Sequence, residues 1–411
     1  MDKIILKRNI IENIKAWDED ITGPLFLYGL KGVGKAFICR EYAKDFHESF
    51  LYYEPELSLA DSVSDPADHV ATHFGLSPEV LANEFLILNE TEKNVAFFTK
   101  LLEKAVEGKY KWIFISDYDY TKGKTEAEIF KMQMFPLQFD EFLTNLGYND
   151  WYVSSVSETL KRKEKLPDIV HNNLISTFEE YLWTGGMPEV IKDYIREDRL
   201  NIRSRQTDAK LLIYNSINNI KDASLRNKCD QILDTVEAQL KKSNKKFMFN
   251  QIRSGVTYQM YAEALDTLID RGLCLRINEV SDERKFKLFY PEFSFNPMES
   301  FDEITDVEFL LREENYLLQT FAQKGIDVAF WESGNRAELP FVIRTDEGRS
   351  IPVDYHGENR KVSKSILSYQ NKHDNPKAIK ISDSNFVDED SSVTIPVYSV
   401  FCIEKLLKVL V

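Results

Sequence analysis

Hydrophobic positions recur along this chain with two periods, and the alternation between them predicts its layout. Ile10, Ile11, Ile14 and Trp17 fall at helical spacing, which predicts an amphipathic helix within residues 1–20. Pro24–Tyr28 is a short apolar run that passes directly into glycines, after which Lys35 to about Phe46 resumes helical spacing with Ile38, Tyr42 and Ala43. Phe50–Tyr53 predicts a second strand and Val95–Val106 another helix. Lys111–Asp117 is an unbroken apolar run ending in an acid, as expected of a strand covered on both faces in a parallel sheet. From Asn173 to about Leu240 the spacing is helical, broken at Thr184-Gly185-Gly186-Met187-Pro188, where two glycines and a proline force a turn.

Residues 245–280 then read as helix, helix, strand, the order of a winged helix. Ser254-Gly255-Val256-Thr257 opens a helix with Met260, Ala264, Leu265 and Leu268 on one face, and Gly272 closes it before the strand Leu273–Ile277. Beyond Lys285 the period alternates again. Strands are predicted at Lys285–Tyr290, Val328–Trp331, Leu339–Arg344, Ser350–Tyr355, Ala378–Ile381 and Ile395–Val400, with helices at Asp306–Lys324, Val362–Lys372 and Ile403–Leu410. There is no internal repeat.

Composition narrows the classes. A chain of 411 residues, 43% apolar and 12% aromatic, has material for two or three packed domains. A net charge of −15 opposes general nucleic-acid binding, because Lys and Arg supply most of its affinity. Cys39, Cys229, Cys274 and Cys402 show no metal-ligand spacing and read as buried free thiols. No signal peptide and no apolar run of membrane-spanning length is visible, so a soluble cytoplasmic protein is expected.

The glycine run carries the clearest chemistry. Gly29-Leu30-Lys31-Gly32-Val33-Gly34-Lys35-Ala36 follows a predicted strand and opens a predicted helix, the context of a phosphate-binding loop. Backbone N–H groups and Lys35 would cradle phosphates, so Gly29, Gly32, Val33, Gly34, Lys35 and Ala36 form the expected ATP or ADP contact set. The position that normally brings a Ser or Thr hydroxyl to Mg²⁺ is Ala36. Asp117 would be delivered to the same sheet edge and hold Mg²⁺ directly or through water. An Asp at a strand end also commonly caps the next turn; the upstream loop is what assigns Asp117 to the nucleotide site.

Several further motifs resemble a family of prokaryotic AAA+-type ATPases with a C-terminal domain related to the PD-(D/E)xK nucleases. They are Phe135-Pro136-Leu137-Gln138-Phe139-Asp140-Glu141-Phe142-Leu143, then Leu166-Pro167-Asp168 and Tyr181-Leu182-Trp183-Thr184-Gly185-Gly186-Met187-Pro188-Glu189-Val190, then Arg312-Glu313-Glu314-Asn315-Tyr316, and strands around Glu338 and Ile351-Pro352-Val353-Asp354. The resemblance implies an α/β chain in four parts. These are a P-loop nucleotide-binding domain (1–172), a helical lid (173–240), a winged helix (241–284) and a restriction-endonuclease-like domain (285–411).

The departures share a direction. The family's Asp-Glu pair reads Asp117-Tyr118, Asp119 comes one position late, and the strand expected between Asp117 and Phe135 looks absent. In the nuclease-like part Glu314, Glu338 and Asp354 remain, but the metal-binding Asp position is Pro340 and the lysine position is His356. The resemblance therefore implies a vestigial nuclease site, and a lone His356 reads as a strand-end polar residue. The helix from Thr257 to Arg271 carries Glu263, Asp266 and Asp270 against Arg271 alone, which does not suit a phosphate-lined groove. Lys241–Lys246, with four lysines, reads as a solvated linker. Three readings stay open: a nucleotide-binding regulator or scaffold with impaired hydrolysis and a protein partner, a working ATPase aided by Asp119 or a neighbouring arginine, and an interaction protein with an empty loop.

Overall fold

The computed structural model describes residues 4–55, 63–90, 92–121, 129–296, 306–334, 337–355, 364–373 and 376–410. They group into two compact units that divide the chain differently from the four predicted segments. One unit comprises 1–136 with 209–226 and 266–273; the other comprises 137–208, 227–265 and 274–411.

The first unit is built on five parallel strands: β1 (Leu25–Tyr28), β2 (Leu51–Tyr53), β3 (Leu86–Asn89), β4 (Trp112–Ser116) and β5 (Phe130–Gln133), in the spatial order β2-β3-β4-β1-β5. Two of these strands were not anticipated. Phe130–Gln133 corrects the expectation of a strandless interval between Asp117 and Phe135, and Leu86–Asn89 adds a strand before Trp112. Both are only four residues long, too short to display a period. Phe26, Leu86, Leu88, Trp112 and Phe114 of the sheet pack with Phe98, Leu101 and Ala105 of the helix Val95–Gly108. Burial of such runs on both faces makes the parallel arrangement stable.

The second unit carries an eight-stranded mixed sheet. Its strands are β6 (Leu275–Glu279), β7 (Phe286–Phe289), β8 (Asp327–Glu332), β9 (Glu338–Arg344), β10 (Ser350–Tyr355), β11 (Ala378–Ser382), β12 (Val387–Asp388) and β13 (Ser392–Pro396), in the order β12-β13-β11-β10-β9-β8-β6-β7. The antiparallel hairpin β6–β7 continues this sheet, with β6 parallel to β8, so a boundary at 284 would cut a hairpin. The strand expected at Ile395–Val400 stops at Pro396, and Val397–Cys402 winds into a 3₁₀ helix. The helix expected at Val362–Lys372 is seen over Lys364–Gln370.

The helix Asp306–Gln323 is the spine of this unit. Residues 311–321 are all buried, including Arg312, Glu313, Glu314 and Asn315, so this stretch of the helix is enclosed on every side instead of presenting one apolar stripe. Such burial requires partners for each polar group. Arg312 donates to the carbonyls of Leu182 (3.1 Å), Trp183 (2.8 Å), Ser294 (3.1 Å) and Asn296 (2.8 Å). Asn315 donates to Tyr290 O (2.9 Å), and Tyr316 packs edge-on against Phe178 and Phe293.

Candidate functional site

The glycine loop lies between β1 and the helix Lys35–Phe46, at the C-terminal edge of the parallel sheet, where ligands of open α/β sheets bind. Gly29, Gly32 and Gly34 have φ of +150°, +86° and +96°, a path that side chains rarely follow. At Gly29 a Cβ would lie 2.0 Å from the Met134 carbonyl oxygen, so the loop's first turn is possible only with glycine. The helix begins at Gly34 without a side-chain cap, which leaves its first N–H groups to an incoming anion.

Asp117, expected from the sequence as a Mg²⁺ holder beside the loop, is paired here with Lys35. The Lys35 ammonium, with its side chain 6% exposed, donates to Asp117 Oδ1 at 2.9 Å and to the carbonyls of Gly29 (2.7 Å) and Leu30 (2.9 Å). All three of its donors are satisfied by the protein. Burial pushes its pKa down and the Asp117 charge pulls it back part of the way. Ala36 offers no oxygen from its side chain, and among the described residues no group of three His, Cys, Asp or Glu side chains could hold a metal ion. A phosphate chain would meet Lys35 and the uncapped helix start in this loop; a Mg²⁺ there would find Asp117 and otherwise only phosphate and water as ligands.

Asp119 is committed elsewhere. It accepts from the Thr121 N–H (2.8 Å) and hydroxyl (2.6 Å) and pairs with Lys131 (3.2 Å), and these bonds hold its carboxyl below the usual range despite burial. Tyr118 lies under the Arg271 guanidinium, 4.7 Å from the ring centroid.

Two residues of this neighbourhood escaped the sequence reading. Arg8, nearly buried, donates to Val33 O inside the loop (2.9 Å) and to Phe135 O beyond β5 (2.6 Å), and so clamps the loop to the sheet. Glu90 follows β3 at the same sheet edge, its N–H donating to Ile115 O (2.9 Å), and its charge adds to burial in pushing the Tyr120 hydroxyl well above its ordinary pKa. An apolar run followed by an acid was the available signal for Glu90. A separate cavity of about 550 Å³ lies at the opposite edge of the strands, lined by Asp18, His47, Phe85, Tyr110 and Lys111 among others.

The residues expected to form a vestigial nuclease site come together only in part. Glu314 is buried, its Oε2 accepting from the Lys245 ammonium and the Tyr355 hydroxyl (3.0 Å). Glu338, half-exposed, meets Glu314 through Lys287. Asp354 is buried on β10 next to Tyr355, and strand alternation turns it to the opposite face from the hydroxyl that reaches Glu314. Pro340 lies within β9, and His356 falls outside the described residues.

Residues 245–280, read from the sequence as a winged helix, also differ in detail from that expectation. Met260, expected on the packed face, is 44% exposed. Lys245 and Lys246 are not a solvated linker: they turn inward onto Glu314 and Glu332.

A domain of unknown function (DUF8612) matches residues 175–289. No curated protein matches the chain. Among solved structures, the chain is similar to the Walker-type ATPase PABY2304 of Pyrococcus abyssi, with 13% identity and a TM-score of 0.43 over 75% of this chain and 96% of that one. It is also similar to the STAND protein PH0952 of Pyrococcus horikoshii, which has a tetratricopeptide-repeat sensor, with 12% identity and a TM-score of 0.30. That match covers 79% of this chain and 46% of the other, so the chain spans under half of that protein's length. No helix among the described residues is long and apolar enough to cross a membrane.

Proposed function

We propose that this protein binds ATP or ADP in the Gly29–Ala36 loop and acts as a regulatory or scaffold component with slow or absent hydrolysis. The observation that carries the reading is the buried Lys35, held at the mouth of a glycine loop by Asp117 from the neighbouring strand. A phosphate chain entering the loop would take over the Lys35 donors and the uncapped helix N–H groups. The same geometry opposes turnover, since Ala36 leaves the metal shell short and Asp119 is spent on Thr121 and Lys131.

A restriction-endonuclease-like arrangement is our reading of residues 306–396. Its support is the succession of the helix Asp306–Gln323, the antiparallel run β8–β9–β10, the helix Lys364–Gln370 and the parallel strand β11. Its acids are dispersed, so we assign it no cleavage.

Isothermal titration with ATP and ADP, with and without Mg²⁺, tests the first reading. Binding is expected in both conditions, and Lys35→Ala should weaken it by about tenfold or more through loss of a charge-assisted contact. Absence of binding would select the empty-loop interaction protein. A second reading, a working ATPase, draws support from Glu90 at the edge of β3; it predicts turnover that Glu90→Gln removes while binding persists.

A further inference from the structure

Two acids of the expected nuclease-like site, Glu314 and Glu338, are already joined by a lysine. Glu314 Oε2 accepts from Lys245, and its Oε1 lies 3.8 Å from Lys287 Nζ. Lys287, with its side chain 3% exposed, also bonds Glu338 Oε1 and lies 4.8 Å from the centroid of the Phe330 ring. The arrangement repeats nearby, where Glu332 receives Lys246 (2.6 Å) and Lys285 (3.0 Å). Despite complete burial, Glu314 is held below the usual carboxylate range, with Lys245 and Lys287 overcoming the cost of burial.

Two ammonium groups deliver the charge of one divalent ion to a buried carboxylate. They do so permanently, independent of free metal, and without the Lewis acidity that lowers the pKa of a bound water. Neither lysine lies on the catalytic strands of the resembled family: Lys245 lies between the helix Ala223–Leu240 and the 3₁₀ turn Phe249–Gln251, and Lys287 lies on β7.

We propose that Lys287, backed by Lys245, occupies the position in which a divalent cation would bridge Glu314 and Glu338, making this unit metal-independent by construction. The inference rests on the restriction-endonuclease-like reading of residues 306–396. Both lysines come from outside that segment, so the substitution also ties the β6–β7 region to it through buried charge.

Thermal unfolding of the full chain in EDTA and in millimolar Mn²⁺ tests this. The wild-type midpoint should be the same in both, whereas Lys245→Gln/Lys287→Gln should lower the midpoint and make it rise with Mn²⁺, as binding to the folded state requires. A Mn²⁺-dependent midpoint in the wild type, or a metal-indifferent double variant, would overturn the proposal. If the double variant does not fold, Lys287→Gln alone serves, because it empties the position between Glu314 and Glu338 while Lys245 stays on Glu314; electron paramagnetic resonance should then find Mn²⁺ bound to this variant and none to wild type. An anomalous Mn²⁺ map of the variant separates the two failures. A different arrangement of residues 306–396 discards the nuclease-like reading, while that arrangement with no Mn²⁺ at Glu314 discards the lysine proposal alone.

Discussion

Adjacent residues on one helix are held here in opposite charge states. Glu314 is kept ionised by two lysines, while Glu313, a neighbour of the Asp383 carboxylate, is pushed up to about 8 by burial. An acid whose folded-state pKa lies above its unfolded value keeps a proton that the unfolded chain has released. Stability should therefore fall as pH rises from the ordinary carboxylate range to about 8, and stay low beyond. Asp383, raised by its own burial, acts in the same sense, and His171, lowered by burial, acts oppositely below its ordinary 6.5. Comparing wild type with Glu313→Gln by denaturant titration across this range isolates the effect. The variant should lose part of the alkaline decline, and parallel curves would refute the assignment. Glycines provide a second contrast. A Cβ at Gly185 (φ +89°) would lie 2.3 Å from Ser294 Oγ and 2.9 Å from Glu292 Oε1, whereas one at Gly255 (φ +81°) meets nothing within 4 Å. Gly185→Ala should cost about 2 kcal/mol more than Gly255→Ala, since both carry backbone strain and only the first adds overpacking. Equal midpoints in urea would contradict this.

Among the elements, the motifs that carry the family resemblance turn out to bond one another. Leu137 donates its N–H to Gly186 O (2.7 Å) and accepts at its own carbonyl from the Tyr181 hydroxyl (2.7 Å). Gln138 and Glu141 form the capping box of the helix Phe139–Asn145. Gly186 donates to the buried Glu292, and Arg312 satisfies the last carbonyls of the helix Asp168–Thr184. From Leu137 onward, the conspicuous Leu-x-Phe and Gly-Gly-Met-Pro signatures are thus bonded to each other within the second unit. Arg312→Met would leave four carbonyls without this donor, and should destabilise by about 3–5 kcal/mol in chemical unfolding. A loss near zero would show that water replaces the guanidinium.

For the molecule as a whole, two units with separate sheets make one two-state unfolding free energy an unsafe description. Nucleotide stabilises only what binds it, so hydrogen exchange should slow under saturating ATP at residues 29–40 and 112–117 and stay unchanged in β9–β11. Protection confined to the second sheet would relocate the site. At this scale the limits of the sequence become physical. The glycine loop, its strand and helix, and an acid at the end of β4 were legible because their determinants are local: backbone conformations that glycine permits, and an apolar run ending in Asp117. The short strands β3 and β5 were not, because four residues display no period and their identity comes from the strands beside them. Met260 and Lys245 were misjudged for the same reason, as a helical spacing or a run of lysines does not say which face meets a neighbour. The sequence by itself determined the glycine loop between its strand and helix, and the Ala36 that brings no hydroxyl, since both depend on residues adjacent in the chain. Only the tertiary structure decided that Asp119 is spent, that Glu90 stands at the sheet edge and that lysines sit on Glu314, because those facts depend on which distant segments share a buried space.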